Sequence, residues 1–158
     1  MRITTRGRYA LRASLALARL QNGGAPVSIS QLSEEEHISS VFLEQIFFRL
    51  RKAGIVSSVR GPGGGFLFAR EPDTLTLWEI LEASGEELDV TGCDKHAKTC
   101  ASTGIRCPSH SVWEDITKMI RNYLTQVTLA RVLERAASSG TLPSTKTVPD
   151  PAELPQVP

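Results

Sequence analysis

Three cysteines, Cys93, Cys100 and Cys107, and a histidine, His110, form the pattern C-x6-C-x6-C-x2-H. They are the side chains of this sequence best suited to hold a metal. An odd number of thiols packed into fifteen residues argues against a disulfide framework and toward metal or redox chemistry. A 2Fe–2S cluster takes two protein ligands on each iron, usually thiolates, and three Cys plus His110 supply four. Imidazole in place of thiolate removes a negative charge, raises the potential and makes ligation sensitive to protonation. The same donors could hold a tetrahedral zinc ion, although the close cysteine pair of a zinc finger is missing. His96 lies in the same stretch and could replace His110 as ligand, and unliganded thiols are the plainest alternative. Spacing alone leaves these readings open.

The elements that must position these side chains are a loop and a helix. Residues 91–108 read as a polar, cluster-binding loop, in which small residues and Gly104 let the chain curl around a centre. Ser111-Val112-Trp113-Glu114 is a helix-start pattern. From it a dimerisation helix over residues 109–137 is expected to run unbroken to about Arg135. Val112, Ile116, Met119, Ile120, Tyr123, Val127, Ala130 and Leu133 fall on one stripe of that helix. With nothing after it to pack on, such a helix is expected to pair with its copy in a homodimer, the alternative being a fold-back onto its own domain. The tail over 138–158 holds five of the nine prolines and is expected to be disordered.

Residues 1–85 read as a winged helix-turn-helix domain. An Ala- and Leu-rich helix over Tyr9 to Leu20 ends at a Gly-Gly-Ala-Pro turn. Ser28 and Gln31 make a capping box for a short second helix. A third helix begins at Ser39 or Ser40 and buries Leu43, Ile46, Phe47 and Leu50; Gly54 stops it. Two β-prone runs, 55–59 and 66–69, flank Gly61-Pro62-Gly63-Gly64-Gly65, which reads as the turn of a hairpin wing. Thr76 and Glu79 cap one more helix. The fold class is thus mainly α with a small β-hairpin.

Charge separates the two halves. Residues 1–70 hold ten Lys/Arg against four Asp/Glu, a net +6, whereas residues 71–158 hold eight against thirteen, a net −5. A basic winged helix points to double-stranded DNA as the partner. The third helix would lie in the major groove, with Ser40, Glu44 and Gln45 facing base edges. Gln can pair with adenine, and Glu can accept from the amino group of cytosine. Arg60, at the mouth of the hairpin, suits a minor groove. Arg2, Arg6, Arg8 and Arg12 suit phosphates. The chain shows no signal-peptide core and no membrane-length apolar run, so the cytosol is its expected compartment. No nucleotide-binding loop or catalytic constellation occurs, which argues against an enzyme.

Met1-Arg2-Ile3-Thr4, Gly7-Arg8-Tyr9-Ala10, Leu43-Glu44-Gln45-Ile46-Phe47, Arg49-Leu50-Arg51-Lys52 and Val56 to Gly65 occur here in that order. Through them, and through the cysteine loop with Cys107-x-x-His110 and Trp113, the chain resembles the IscR-type iron–sulphur cluster regulators. These belong to the Rrf2 superfamily of bacterial winged-helix repressors. The resemblance covers about residues 1–135. It implies a homodimer carrying a 2Fe–2S cluster on Cys93, Cys100, Cys107 and His110, with a cluster-assembly scaffold as donor. It also implies repression of cluster-assembly genes, base reading by Glu44 and Gln45, and a wing arginine at Arg60. Nitric-oxide sensors among the relatives take an acidic ligand near the start of the first helix, where this chain has Gly7-Arg8-Tyr9. Three features depart from the IscR pattern: cysteine spacings of six and six instead of five and five, Val41 in place of a serine, and Phe48 in place of a small polar residue.

Overall fold

The computed structural model describes residues 3–21, 24–90 and 108–140. Its elements are α1 (Thr5–Leu20), α2 (Ile29–Glu36), α3 (Ser40–Lys52), β1 (Val56–Val59), β2 (Gly65–Phe68), α4 (Leu77–Ser84), α5 (His110–Gln126) and α6 (Leu129–Ser138).

Local chemistry sets most of the boundaries. The Thr4 hydroxyl accepts from the Gly7 amide and starts α1 four residues earlier than Tyr9, the start expected from sequence. α2 and α4 open on reciprocal capping boxes, Ser28 with Gln31 and Thr76 with Glu79. The Ser39 hydroxyl caps α3, and Gly54 follows its end at φ +71°, a left-handed conformation that glycine adopts without strain.

The core is built by alternating helix faces. α1 buries Ala10, Ala13, Ala16 and Leu17, and the three alanines let neighbouring helices approach closely. α3 buries Leu43, Ile46, Phe47 and Leu50, the stripe expected from its period. β1 and β2 pair antiparallel from Val56↔Phe68 to Val59↔Gly65. Val27 adds a bridge to Phe66 through two backbone hydrogen bonds of 2.9 and 2.8 Å. A β-carbon at Gly65 would fall 2.3 Å from the Val27 carbonyl oxygen, so this bridge requires glycine there. The Phe66 ring packs on Phe47 at 4.8 Å and fixes the wing against α3.

The C-terminal helix differs from its sequence expectation in two ways. It starts at His110, with Ser111 already inside it, and Ser109 at its N-cap makes no side-chain capping bond. It also breaks at Val127. There the chain becomes extended, the Val127 carbonyl accepts from the Leu77 amide at 2.9 Å, and the Leu129 amide donates to Leu75 at 3.0 Å. Thr128 caps a separate helix, α6, by accepting from the Arg131 amide. Burial of Val127 and Leu129 in the winged-helix core and new backbone pairing with the segment before α4 outweigh helix continuity. Of the tail expected over 138–158, Ser138 is the last residue of α6 and a turn follows through Gly140, while 141–158 lies outside the described residues.

The cap gives a first prediction. Thr128→Ala should lower the unfolding free energy by about 1 kcal/mol, the usual worth of an N-cap hydroxyl, as read by urea titration.

Candidate nucleic-acid interface

α3 turns its apolar stripe inward and leaves Ser40, Val41, Glu44, Gln45, Phe48, Arg49, Arg51 and Lys52 exposed. Ser40, Glu44 and Gln45 therefore sit on the outer surface of the helix, as expected. The Arg51 guanidinium donates to the Ser58 hydroxyl at 3.4 Å, linking α3 to β1. At the wing tip the Gly64 amide donates to the Gly61 carbonyl at 2.9 Å. Pro62 and Gly63 occupy the corner of this turn, with Gly63 at φ +73°, the arrangement of a type II turn. A β-carbon on Gly64 would meet the Val59 carbonyl oxygen at 2.3 Å. Arg60 is exposed beside this turn. The wing glycines thus hold a tight, narrow tip with one long cation at its base.

The α1 arginines divide. Arg6 and Arg8 are exposed in the first turns, Arg8 contacting the Thr5 hydroxyl at 3.4 Å. Arg12 is committed elsewhere: its guanidinium donates to Glu36 through the carboxylate at 3.0 Å and the backbone carbonyl at 2.7 Å. It fastens α1 to α2. Arg2 lies outside the described residues.

Sequence reasoning missed Glu86. This buried carboxylate follows α4 and reaches back to the start of α1, where it accepts from the Thr4 amide at 2.9 Å, the Thr4 hydroxyl and the Gly7 amide at 3.1 Å. Burial pushes its pKa up, but the bonds from Thr4 and Gly7 and the charge of Arg6 outweigh that and hold it below 4.5. Gly7 leaves room for it, since a β-carbon there would fall 2.6 Å from the Glu86 Cδ. At neighbouring Gly85, which caps α4 at φ +90°, a β-carbon would lie 3.0 Å from Arg49 Nη1 and 3.5 Å from Arg6 Nη1. The segment leaving α4 therefore touches both the N-terminus of α1 and the recognition helix. No sequence motif marks this contact across 82 residues.

From Glu86 the chain continues to Val90, whose amide donates to the Thr117 hydroxyl on α5 at 3.4 Å. It returns to the same helix at His110, the partly buried first residue of α5. The candidate ligands Cys93, Cys100 and Cys107 lie outside the described residues, as does His96. Among the described residues, no group of three or more His, Cys, Asp or Glu side chains could hold a metal ion. The donor set of three thiols and one imidazole fits a 2Fe–2S cluster by number and type. Of the described residues on either side of that stretch, Val90 bonds to Thr117 of α5 and His110 begins α5.

A family model described as "Rrf2: Iron-dependent Transcriptional regulator" matches residues 3–135. The chain belongs to the Rrf2 family. It is 40% identical to the transcriptional regulator IscR of Photobacterium profundum over 84% of this chain and 76% of that protein. Identity to an HTH-type transcriptional regulator of Neisseria meningitidis is 42%, over 85% and 89%. Among solved structures, T. potens IscR superposes with a TM-score of 0.70 at 32% identity, covering 90% of this chain and 93% of that one. CymR, the global cysteine regulator of B. subtilis, also gives 0.70, at 26% identity and coverages of 85% and 98%. This Rrf2 chain is thus a winged-helix transcription regulator and not an enzyme. Among its described residues no helix is long and apolar enough to cross a membrane.

Proposed function

We propose that this Rrf2 regulator binds operator DNA as a homodimer, mainly as a repressor, and reads iron–sulphur cluster status to control cluster-assembly genes. The observation that carries the proposal is the route of the chain after α4. It passes Arg49 and the α1 N-terminus at Gly85-Glu86, is tied to α5 at Val90, and re-enters α5 at His110. Any ordering of the intervening cysteine loop therefore acts on the segment that holds α3 and α1 together.

Cys93, Cys100, Cys107 and His110 would hold the 2Fe–2S cluster, delivered by a cluster-assembly scaffold. When bound, the cluster supplies a centre that iron shortage or oxidation removes. The rest belongs to the protein. Thr117 of α5, through Val90, and Ser109, just before α5, flank the two ends of the loop, while Glu86 and Gly85 transmit its position to Thr4, Gly7 and Arg49. Such a device shifts operator binding only by the difference in cluster affinity between two arrangements of the dimer. α5 leaves Val112, Trp113, Met119 and Tyr123 exposed, and this apolar face supports pairing with a second copy. On DNA, Glu44, Gln45 and Ser40 face base edges, Arg60 enters the minor groove beside the Gly61–Gly65 tip, and Arg2, Arg6 and Arg8 hold phosphates.

A second reading, a thiol-switch or zinc-stabilised repressor, draws on the similarity to CymR. It predicts zinc on elemental analysis and no visible absorption.

DNA titrations of the full chain at several salt concentrations test the proposal. Affinity should fall linearly on a log–log plot, and Arg60→Ala should weaken specific binding about tenfold, the equivalent of one good base or groove contact. Salt-independent binding, or none, would contradict it.

A further inference from the structure

The outward surface of α3 is not uniformly polar. Val41 is 65% exposed and Phe48 59% exposed, against a helix whose other large apolar side chains are buried or half-buried. They stand seven residues apart, two helical turns, with Glu44 three residues from one and four from the other, so the three share a stripe. The Arg51 guanidinium sits 5.8 Å over the Phe48 ring, holding it in a cationic setting. Arg49 and Lys52 lie on the same helix and Arg60 on the wing. An apolar pair framed by cations suits a polyanion that itself presents methyl groups.

We propose that Val41 and Phe48 are specificity determinants that contact thymine 5-methyl groups in the major groove, on either side of a cytosine read by Glu44. The inference rests on the DNA-binding reading above and names the bases that reading would select. The thymine methyl is the one apolar feature of the major-groove edge, and cytosine presents hydrogen there. A carboxylate at Glu44 needs a donor to offset nearby phosphates, and the cytosine amino group is that donor. The axial rise between Val41 and Phe48 is about 10 Å, which spans roughly three base-pair steps. The preferred half-site should therefore contain a cytosine with thymines within about two positions on both sides.

The experiment selects DNA from a random duplex pool with the full chain, then replaces each thymine of the enriched site, singly, by deoxyuridine. Uracil keeps the hydrogen-bonding edge and lacks only the methyl. At the contacted positions each replacement should weaken binding about fourfold, the factor for burying one methyl group. The slope of log affinity against log salt should stay unchanged, because no phosphate contact is lost. Val41→Ser should abolish the penalty at one position and Phe48→Ser at the other, with melting temperature unaffected at these exposed sites.

An enriched site whose uracil replacements all bind as well as thymine would overturn this inference while leaving DNA binding intact. So would serine variants that keep the same penalties, or that alter self-association instead of base preference. Failure to enrich any sequence would overturn the DNA-binding reading itself, and the inference with it.

Discussion

His110→Ala, produced in the full chain alongside cluster-assembly machinery and purified without oxygen, should lose most of the iron and acid-labile sulphide that the unaltered protein carries. The unaltered chain should hold about two of each per protomer. A purely structural histidine predicts something else. His110 is the first residue of α5, its side chain is only partly buried, and alanine is the better helix former. On that basis the substitution would leave α5 unchanged or slightly stabilised. Loss of iron with a melting temperature equal to that of the cluster-stripped parent therefore separates ligation from packing. His96→Ala should retain the cluster, and the reverse pattern would move the fourth ligand to His96.

Glu86→Ala should lower the unfolding free energy by about 2–3 kcal/mol. Three donors, the Thr4 amide and hydroxyl and the Gly7 amide, lose a charged acceptor. The loss stays at the lower end for three such bonds because two of them, from the Thr4 amide and hydroxyl, are only partly buried. The sign of the pH dependence follows from the carboxyl's lowered pKa. A group with a depressed folded pKa stabilises the protein above its unfolded value, and that contribution fades as pH falls through the folded value. The gap between the parent and Glu86→Gln should thus be widest above about pH 5 and should close as pH falls below 4.5. Urea unfolding at pH 7 and pH 3 checks it: equal stabilities at pH 7 would show that the carboxylate holds nothing together. The substitution should also weaken any response of DNA binding to the cluster, since Glu86 fastens the segment after α4 to the start of α1.

Sequence alone resolved the elements whose determinants are local. The Ser28–Gln31 and Thr76–Glu79 boxes act across three residues, and the α3 stripe repeats every three or four, so both can be read without knowing the fold. The wing was legible because few structures accommodate Gly61-Pro62-Gly63-Gly64-Gly65. The break between α5 and α6 was hidden because the apolar stripe runs straight through Val127. What interrupts the helix is pairing with Leu75 and Leu77, some fifty residues earlier in the chain. Thr128, which caps α6, drew no attention because the periodicity runs unbroken across it. The early start of α1 was hidden for a similar reason, since Gly7 looks unfavourable in a helix until Glu86 supplies the partner that requires it.

For the interface, residue type and helical register singled out Glu44, Gln45, Ser40 and Arg60 as candidates, and all four are exposed on α3 and beside the wing. Arg12 pairs with Glu36 on the next helix, a partner that no local pattern in the sequence marks. Glu86 carried no local signal at all.

The most direct measurement is a comparison of one preparation with and without its cluster. The protein is purified anaerobically, its iron and sulphide are quantified, half is stripped by oxidation and chelation, and both halves select DNA from the same random pool. The two forms should enrich distinguishable sites, or bind a common site with affinities at least tenfold apart. A preparation that binds DNA but carries iron and sulphide in neither form, or identical selections from loaded and stripped protein, would contradict the claim that the cysteine loop governs α3.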